Sequence, residues 1–367
     1  MVHIPLPPEL YPATCVIAFI LGIFLGSFYN VCIYRVPMGM SVNNPRRSFC
    51  FRCGSMVKWF DNLPIVSYFV LGGRCRQCGS KYSMRYMLIE LLTGLMFVAI
   101  FMGTNPPQSG SLQVATFWYL AFASMLLIGT FTDIDHYIIP DQLTIGGTIA
   151  ALVAAVAISV CDPWPLLASA GPFPALRLSW GKEWYDIVEA LLKSPFTLAA
   201  ESGGIHWWEP LVNAVIGAAF GFFMLYGIGV IGKIVFRKEA MGFGDVKLFA
   251  MIGATLGIAG CLVTLALAAL FGIVDGVLIR QVRKIIAARH AGPAILEAGA
   301  GLPLSAEPAA EFAEAQAAVG RLVEINRNTP RSRPVHYLPF GPSIALAAVI
   351  EVIFQQRIYQ WLWGTIL

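Results

Sequence analysis

The sequence predicts an all-α polytopic membrane protein of about eight transmembrane helices with a small zinc-ribbon-like cytoplasmic loop. Three observations predict it. Hydrophobic residues make up 57% of the 367 and charged residues only 13%, where a soluble domain carries about 25% charged residues. The apolar residues gather in runs of the ~20 residues that cross ~30 Å of hydrocarbon. Four of the eight cysteines sit as two C-x-x-C pairs in one polar stretch. The net charge of +4 leaves no footprint for nucleic acid.

The spans read as residues 13–34, 84–103, 114–134, 142–160, 210–235, 246–259, 261–280 and 338–363. The sixth is short, which a bilayer tolerates where the helix lines a cavity. The flank of the first span has no Lys or Arg, whereas a cleavable signal peptide needs a basic start. It therefore reads as a retained span. Loop charge sets orientation. The loop 35–83 holds Arg35, Arg46, Arg47, Arg52, Lys58, Arg74, Arg76 and Lys81, and 104–113 holds no Lys or Arg. The segment 161–209 is rich in Trp and poor in cations, while 237–238 and 280–335 are basic again. Alternating basic loops put both termini outside.

The expected organisation is a first span (1–35), a cytoplasmic zinc-binding loop with four cysteines (36–83), a membrane core (84–280) with the outside loop 161–209, a cytoplasmic inserted segment (281–336) and a last span (337–367). Within the insert, 306–327 reads as an exposed amphipathic helix.

Cys50, Cys53, Cys75 and Cys78 are the candidate metal ligands. Two C-x-x-C pairs supply the four thiolates of a tetrahedral zinc. Gly54 and Gly79 follow each pair, where glycine lets backbone amides turn toward sulfur. A reducing cytoplasm disfavours two stable disulfides. Four protein thiolates leave no open position, so the zinc is expected to be structural. The loop is too small to build a core of its own, and the metal is expected to supply much of its folding free energy.

Asp133 and Asp245 are the candidate catalytic residues. Asp133 closes the apolar run from Ala121, and Asp245 closes Met241-Gly-Phe-Gly and opens the next one. Acids held at a bilayer are expensive and therefore functional suspects. The charge pattern brings both to the cytoplasmic boundary. Asp135 and Asp141 lie close to Asp133 but read as solvated helix-end acids. Asp245 also reads as a helix cap, with Lys247 nearby as a partner for its carboxylate.

Taken together, Gly26-SFYNVCIYRVP37, the cysteine pairs, Asp61-NLPIVSYFVLGGRC75, Arg85-YMLIELLTG94, Thr132-DIDHYIIPDQLT144, Lys238-EAMGFGDVKLFAMIGA254 and Leu338-PFGPSIALA347 resemble the type IV prepilin peptidase family of G-x-G-D membrane aspartic proteases. The resemblance implies Asp133 and Asp245 as the catalytic pair. It implies prepilins or pseudopilins as substrates, cut at the cytoplasmic face of a bacterial inner membrane. It also implies N-methylation of the new amino terminus with S-adenosylmethionine. No residue here identifies a site for that cofactor. Phe51 and Met87 stand where the family often has Pro, and 161–209 and about 285–335 look like insertions.

Two alternatives share single features. A presenilin-like protease has G-x-G-D, but this chain lacks a Tyr-Asp partner motif and carries the cysteine loop. A proton-coupled transporter with a metal-binding loop would use intramembrane acids, but at the midplane. Among other polar residues, Glu90 is a candidate to line the cavity or assist the second activity. Asn30 is expected to hydrogen-bond between helices and Arg35 to anchor at headgroups. Asp275 and Glu351, expected near a boundary, have no assigned role.

Overall fold

The computed structural model describes residues 4–39, 41–43, 47–50, 52–105, 111–112, 114–136, 138–161, 208–237, 242–289 and 341–366. The expected helix at 306–327 and nearly all of the outside loop 161–209 lie outside the described residues, as does most of the insert 281–336.

The helices are α1 (Tyr11–Arg35), α2 (Val66–Val70), α3 (Arg85–Thr104), α4 (Val114–His136), α5 (Asp141–Cys161) and α6 (Trp208–Phe236), then a long run, Phe243–Arg289, and finally Gly341–Ile366. Most are apolar around their whole circumference, the pattern of a helix surrounded by lipid and other helices. Among the described residues, five segments have the length and composition to cross a membrane: Pro8–Arg35, Arg85–Thr104, Ala115–His136, Pro210–Val235 and, taken as one run, Phe243–Val274. Asp141–Ala157 and Gly341–Gln355 are apolar but shorter. The multi-pass helical architecture is as the sequence predicts.

The long run is two helices. Gly257 interrupts it with φ 72 and ψ −169, a left-handed conformation that glycine adopts without steric cost. A Cβ built on Gly253 would lie 3.0 Å from Cys261 Sγ, eight residues on, whereas a continuous helix separates such residues by ~12 Å. The chain therefore bends back at Gly257. We call the parts α7 (243–256) and α8 (258–289), and the last helix α9 (Gly341–Ile366). The break falls three residues before the sequence-based one at 260. It is buried, as irregular backbone at membrane depth must be. Gly217 and Gly221 of α6 back directly onto the carbonyls of Gly253 and Phe249, the close approach that small residues permit.

The chain divides into two compact units, one of Met1–Ala18, Phe97–Ile273 and Pro339–Leu367, the other of Phe19–Met96 with Val274–Leu338. In the first, α4 packs against α5 and α9, and α5 against α6. Two-residue strands β1 (Ile4–Pro5) and β2 (Ser111–Leu112) pair antiparallel. Nothing in the hydropathy anticipates them. They bring the amino-terminal flank to the loop after α3, two segments that the charge pattern places on one side.

In the second unit α1 and α3 meet through glycines. A Cβ on Gly22 would lie 2.7 Å from Gly94 Cα, and one on Gly26 would lie 2.8 Å from Glu90 Cα. Asn30 donates its side-chain amide to the Tyr86 carbonyl at 3.1 Å, the interhelical bond the sequence suggests. Arg35 departs from expectation. It is buried, donates to the carbonyls of Ser41 (3.3 Å), Val42 (3.0 Å) and Arg47 (3.4 Å), and lies 5.9 Å from the Phe49 ring centroid. A guanidinium with that many protein acceptors folds the loop back onto α1 rather than reaching for headgroups.

Candidate active site and metal centre

Asp133 lies in the last turn of α4, and Asp245 in the first turn of α7. Both are buried, at 5% and 8% exposure, and the charge of Asp133 acts on Asp245. Each carboxylate accepts one backbone amide at a helix start: Asp133 from Gly341, the first residue of α9, and Asp245 from Gly242. The Asp245 amide in turn donates to the Gly242 carbonyl at 3.2 Å. Asp245 is thus the third residue of a reciprocal cap, and the cap role read from its sequence is compatible with a place in the site.

Ile139 joins the two halves. Its side chain lies 3.5 Å from the Cβ position of Gly244 and 3.4 Å from that of Gly341. A Cβ on Gly341 would itself lie 2.6 Å from Asp133 Oδ2. Gly129 of α4, Gly244 of α7 and Gly341 of α9 therefore all face one isoleucine, with Gly244 next to Asp245 in the chain and Gly341 abutting Asp133.

The neighbouring acids differ. Asp141 is exposed and pairs with Lys247 at 2.6 Å. Lys247 Nζ also lies 5.0 Å from the Phe243 ring centroid. The cation that could have neutralised Asp245 is thus committed to Asp141. Asp135 is half-buried.

The four cysteines come together. Their sulfurs all lie within 4.8 Å of one another, with Cys50–Cys78 at 3.8 Å and Cys53–Cys75 at 3.9 Å. Bonds of ~2.3 Å to a tetrahedral zinc require sulfurs ~3.8 Å apart, so the cluster fits the ion. The two halves repeat one turn. Gly54 N–H donates to the Cys50 carbonyl (2.8 Å) and Gly79 N–H to the Cys75 carbonyl (2.9 Å). Both glycines have positive φ, 72° and 67°, and their amides meet the cysteine carbonyls rather than the sulfurs toward which the sequence reading turned them. Beside the cluster, Arg76 forks onto both oxygens of Asp61 at 2.6–3.1 Å, and this holds the Asp61 carboxyl below the ordinary range.

Two buried acids found other partners. Glu90 accepts the Ile65 amide at 2.7 Å and the Ser27 hydroxyl, so it fastens the loop to α1 and α3. Glu351, expected near a boundary, is fully buried and accepts the Thr264 hydroxyl at 2.6 Å. Asp275's side chain lies outside the described residues. Gly341 has no assigned role in the sequence reading. Its only signal was the run Leu338-Pro-Phe-Gly-Pro.

These features define a multi-pass membrane protein with two buried carboxylates at the ends of its helices. Residues 20–104 match the bacterial peptidase A24 N-terminal domain, and 182–277 match the type IV leader peptidase family. The chain is 33% identical over 293 residues to a prepilin leader peptidase/N-methyltransferase of Myxococcus xanthus, covering 80% of this chain and 70% of that protein. It is 30% identical over 315 residues to the one of Neisseria gonorrhoeae (79% and 90%). It is 28% identical over 375 residues to the one of Aeromonas salmonicida (96% and 94%). No solved structure matches. The chain belongs to the type IV leader peptidase family, which sets aside the presenilin-like and transporter alternatives. All four clustered cysteines fall in the first matched segment and Asp245 in the second; Asp133 lies between the two.

Proposed function

We propose that the chain is a prepilin leader peptidase in which Asp133 and Asp245 together activate the hydrolytic water. The observation that carries this reading is the pairing itself. Two buried aspartates from distant parts of the sequence act on one another by charge, and the glycines beside them, Gly244 next to Asp245 and Gly341 against Asp133, face the same isoleucine. Like charges that act on one another in a buried site do not both ionise readily, and the mechanism uses the pair with one proton between them. The ionised member takes a proton from water as it attacks the scissile carbonyl carbon, and the protonated member polarises the carbonyl oxygen. The tetrahedral intermediate collapses, the C–N bond breaks and the leaving amine takes the proton. The products are a leader ending in a carboxylate and a mature chain beginning with a free amine.

The substrates are type IV prepilins or pseudopilins, whose basic leader precedes an apolar helix. Basic loops flanking the aspartate end of the helices support a site on the cytoplasmic face of a bacterial inner membrane. There a bilayer-embedded helix presents its leader junction to the acids. Cys50, Cys53, Cys75 and Cys78 hold a structural zinc with no open coordination position. N-methylation of the new amino terminus with S-adenosylmethionine is proposed from the relatives' names alone, and no residue is assigned to it.

The test is leader cleavage of a supplied prepilin by membranes containing Asp133→Asn or Asp245→Asn. Each variant should insert normally and cleave nothing. Full cleavage by either would overturn the pair.

A further inference from the structure

The loop between α1 and α3 carries a surface that neither the peptidase site nor the cysteine cluster uses. Trp59, Phe69 and Val70 are 75%, 69% and 71% exposed, and Val66 and Phe60 are exposed beside them. The opposite face of α2 turns inward. Ser67 is buried and donates its hydroxyl to the Phe60 carbonyl at 3.2 Å. The Tyr68 ring sets its edge against Tyr82, with centroids 5.8 Å apart. A five-residue helix with one packed and one bare apolar face is amphipathic in the sense that leaves a surface to be covered.

Two observations say what covers it. The first is depth. The Ile65 amide, just before α2, is bonded to Glu90, the sixth residue of α3 and so ~7.5 Å along its axis. At that height α3 turns Leu88 outward, half exposed, as a lipid-facing residue does. Ile65 is held there with φ 63, a conformation that a β-branched residue keeps only when its surroundings impose it. The segment is thus fixed beside the first turns of a membrane span. The second observation is charge. Residues 36–83 contain seven Lys and Arg against one acid, Asp61, and Arg76 already engages that acid. Lys58 and Arg76 flank the Phe60 ring at 5.7 Å, while Arg74 and Lys81 are exposed nearby. Aromatic and aliphatic side chains ringed by cations suit the boundary between anionic headgroups and acyl chains.

We propose that residues 59–70 form an interfacial wedge. Trp59, Val66, Phe69 and Val70 enter the leaflet on which the loop lies, and the surrounding cations engage anionic phospholipid. The cysteine cluster is then held against the bilayer surface at two places, through Glu90 and through the wedge.

The experiment uses the full chain in nanodiscs, with the photo-crosslinker p-benzoylphenylalanine placed at Phe69 and, separately, at Leu95, an exposed position of α3. In phosphatidylglycerol-rich discs the Phe69 probe should form lipid adducts at a yield comparable to Leu95, read by mass. The yield should fall severalfold in phosphatidylcholine discs while the Leu95 yield holds. Capture of protein at position 69, whether a second copy or a supplied prepilin, would overturn the proposal. So would absence of lipid adduct while Leu95 reacts, and equal yields in the two lipids would overturn the anionic preference. A probe at Trp59 replaces the Phe69 one should that variant fail to insert, and retained leader cleavage reports a folded chain.

Discussion

Gly341 donates its backbone amide to the Asp133 carboxylate, and a side chain on it would stand 2.6 Å from the same group's Oδ2. The start of α9 is therefore both a ligand for the acid and a space reserved for it. Gly341→Ala should push the carboxylate off its amide. Losing a hydrogen bond to a charged group, worth ~1.5–3 kcal/mol, predicts a fall in leader cleavage of about 10- to 100-fold. The helix itself tolerates alanine, so membrane insertion should be unchanged. Cleavage assays on membranes with matched protein amounts check both points.

Lys247 bonds Asp141 and not Asp245, which makes a prediction of opposite sense. The pair is partly exposed, and pairs of this kind contribute ~0.2–1 kcal/mol. Lys247→Met and Asp141→Asn should each leave cleavage within severalfold of the parent chain. In a double-mutant cycle on thermal stability the two should show weak coupling. Loss of cleavage on the scale of Asp245→Asn would mean that Lys247 serves the buried acid instead.

Removing the metal should affect the loop first. Purified protein should contain about one zinc per chain, as a closed four-thiolate site binds one ion. The Cys53→Ser, Cys78→Ser double variant should contain none. Because metal binding is folding free energy for such a loop, the variant or a chelated sample should be nicked by protease within 36–83 while the membrane helices stay protected. Undiminished zinc in the double variant would contradict the four-cysteine site.

The crossing of α6 with α7 gives a fourth prediction. Gly217 and Gly253 each face the other's carbonyl closely enough that a Cβ on either would meet backbone. Forcing a methyl into such a contact costs ~1–3 kcal/mol. Gly253→Ala and Gly217→Ala should each lower the thermal unfolding midpoint in detergent. The pair together should be less than additive, because one displacement of α6 from α7 accommodates both.

Hydropathy and loop charge were enough to find the helices and to suggest that Asp133 and Asp245 share one side, because both signals are local. The cysteine spacing carried the cluster for the same reason. What escaped depends on which distant segments touch. Nothing near Gly341 announces that its amide meets an acid more than two hundred residues earlier. Lys247 is two residues from Asp245 in sequence, yet on the helix it points to Asp141. Glu351 has no role legible in the sequence, because the Thr264 hydroxyl that it accepts comes from another helix. Arg35 looked like a headgroup anchor because a basic residue at a span's end usually is one, and three carbonyls from its own loop took its donors instead.

The bend at Gly257 has a consequence for where chemistry can occur. Asp245 precedes it by twelve residues, ~18 Å of helix, less than the ~30 Å thickness of the hydrocarbon. Helices that cross fully must tilt or stretch the membrane when its thickness changes. The one that carries Asp245 hangs from a fixed point inside the protein, gripped there by α6. Its acid is thus set by a ruler internal to the bundle, and the height of the site is decoupled from the thickness of the lipid around it.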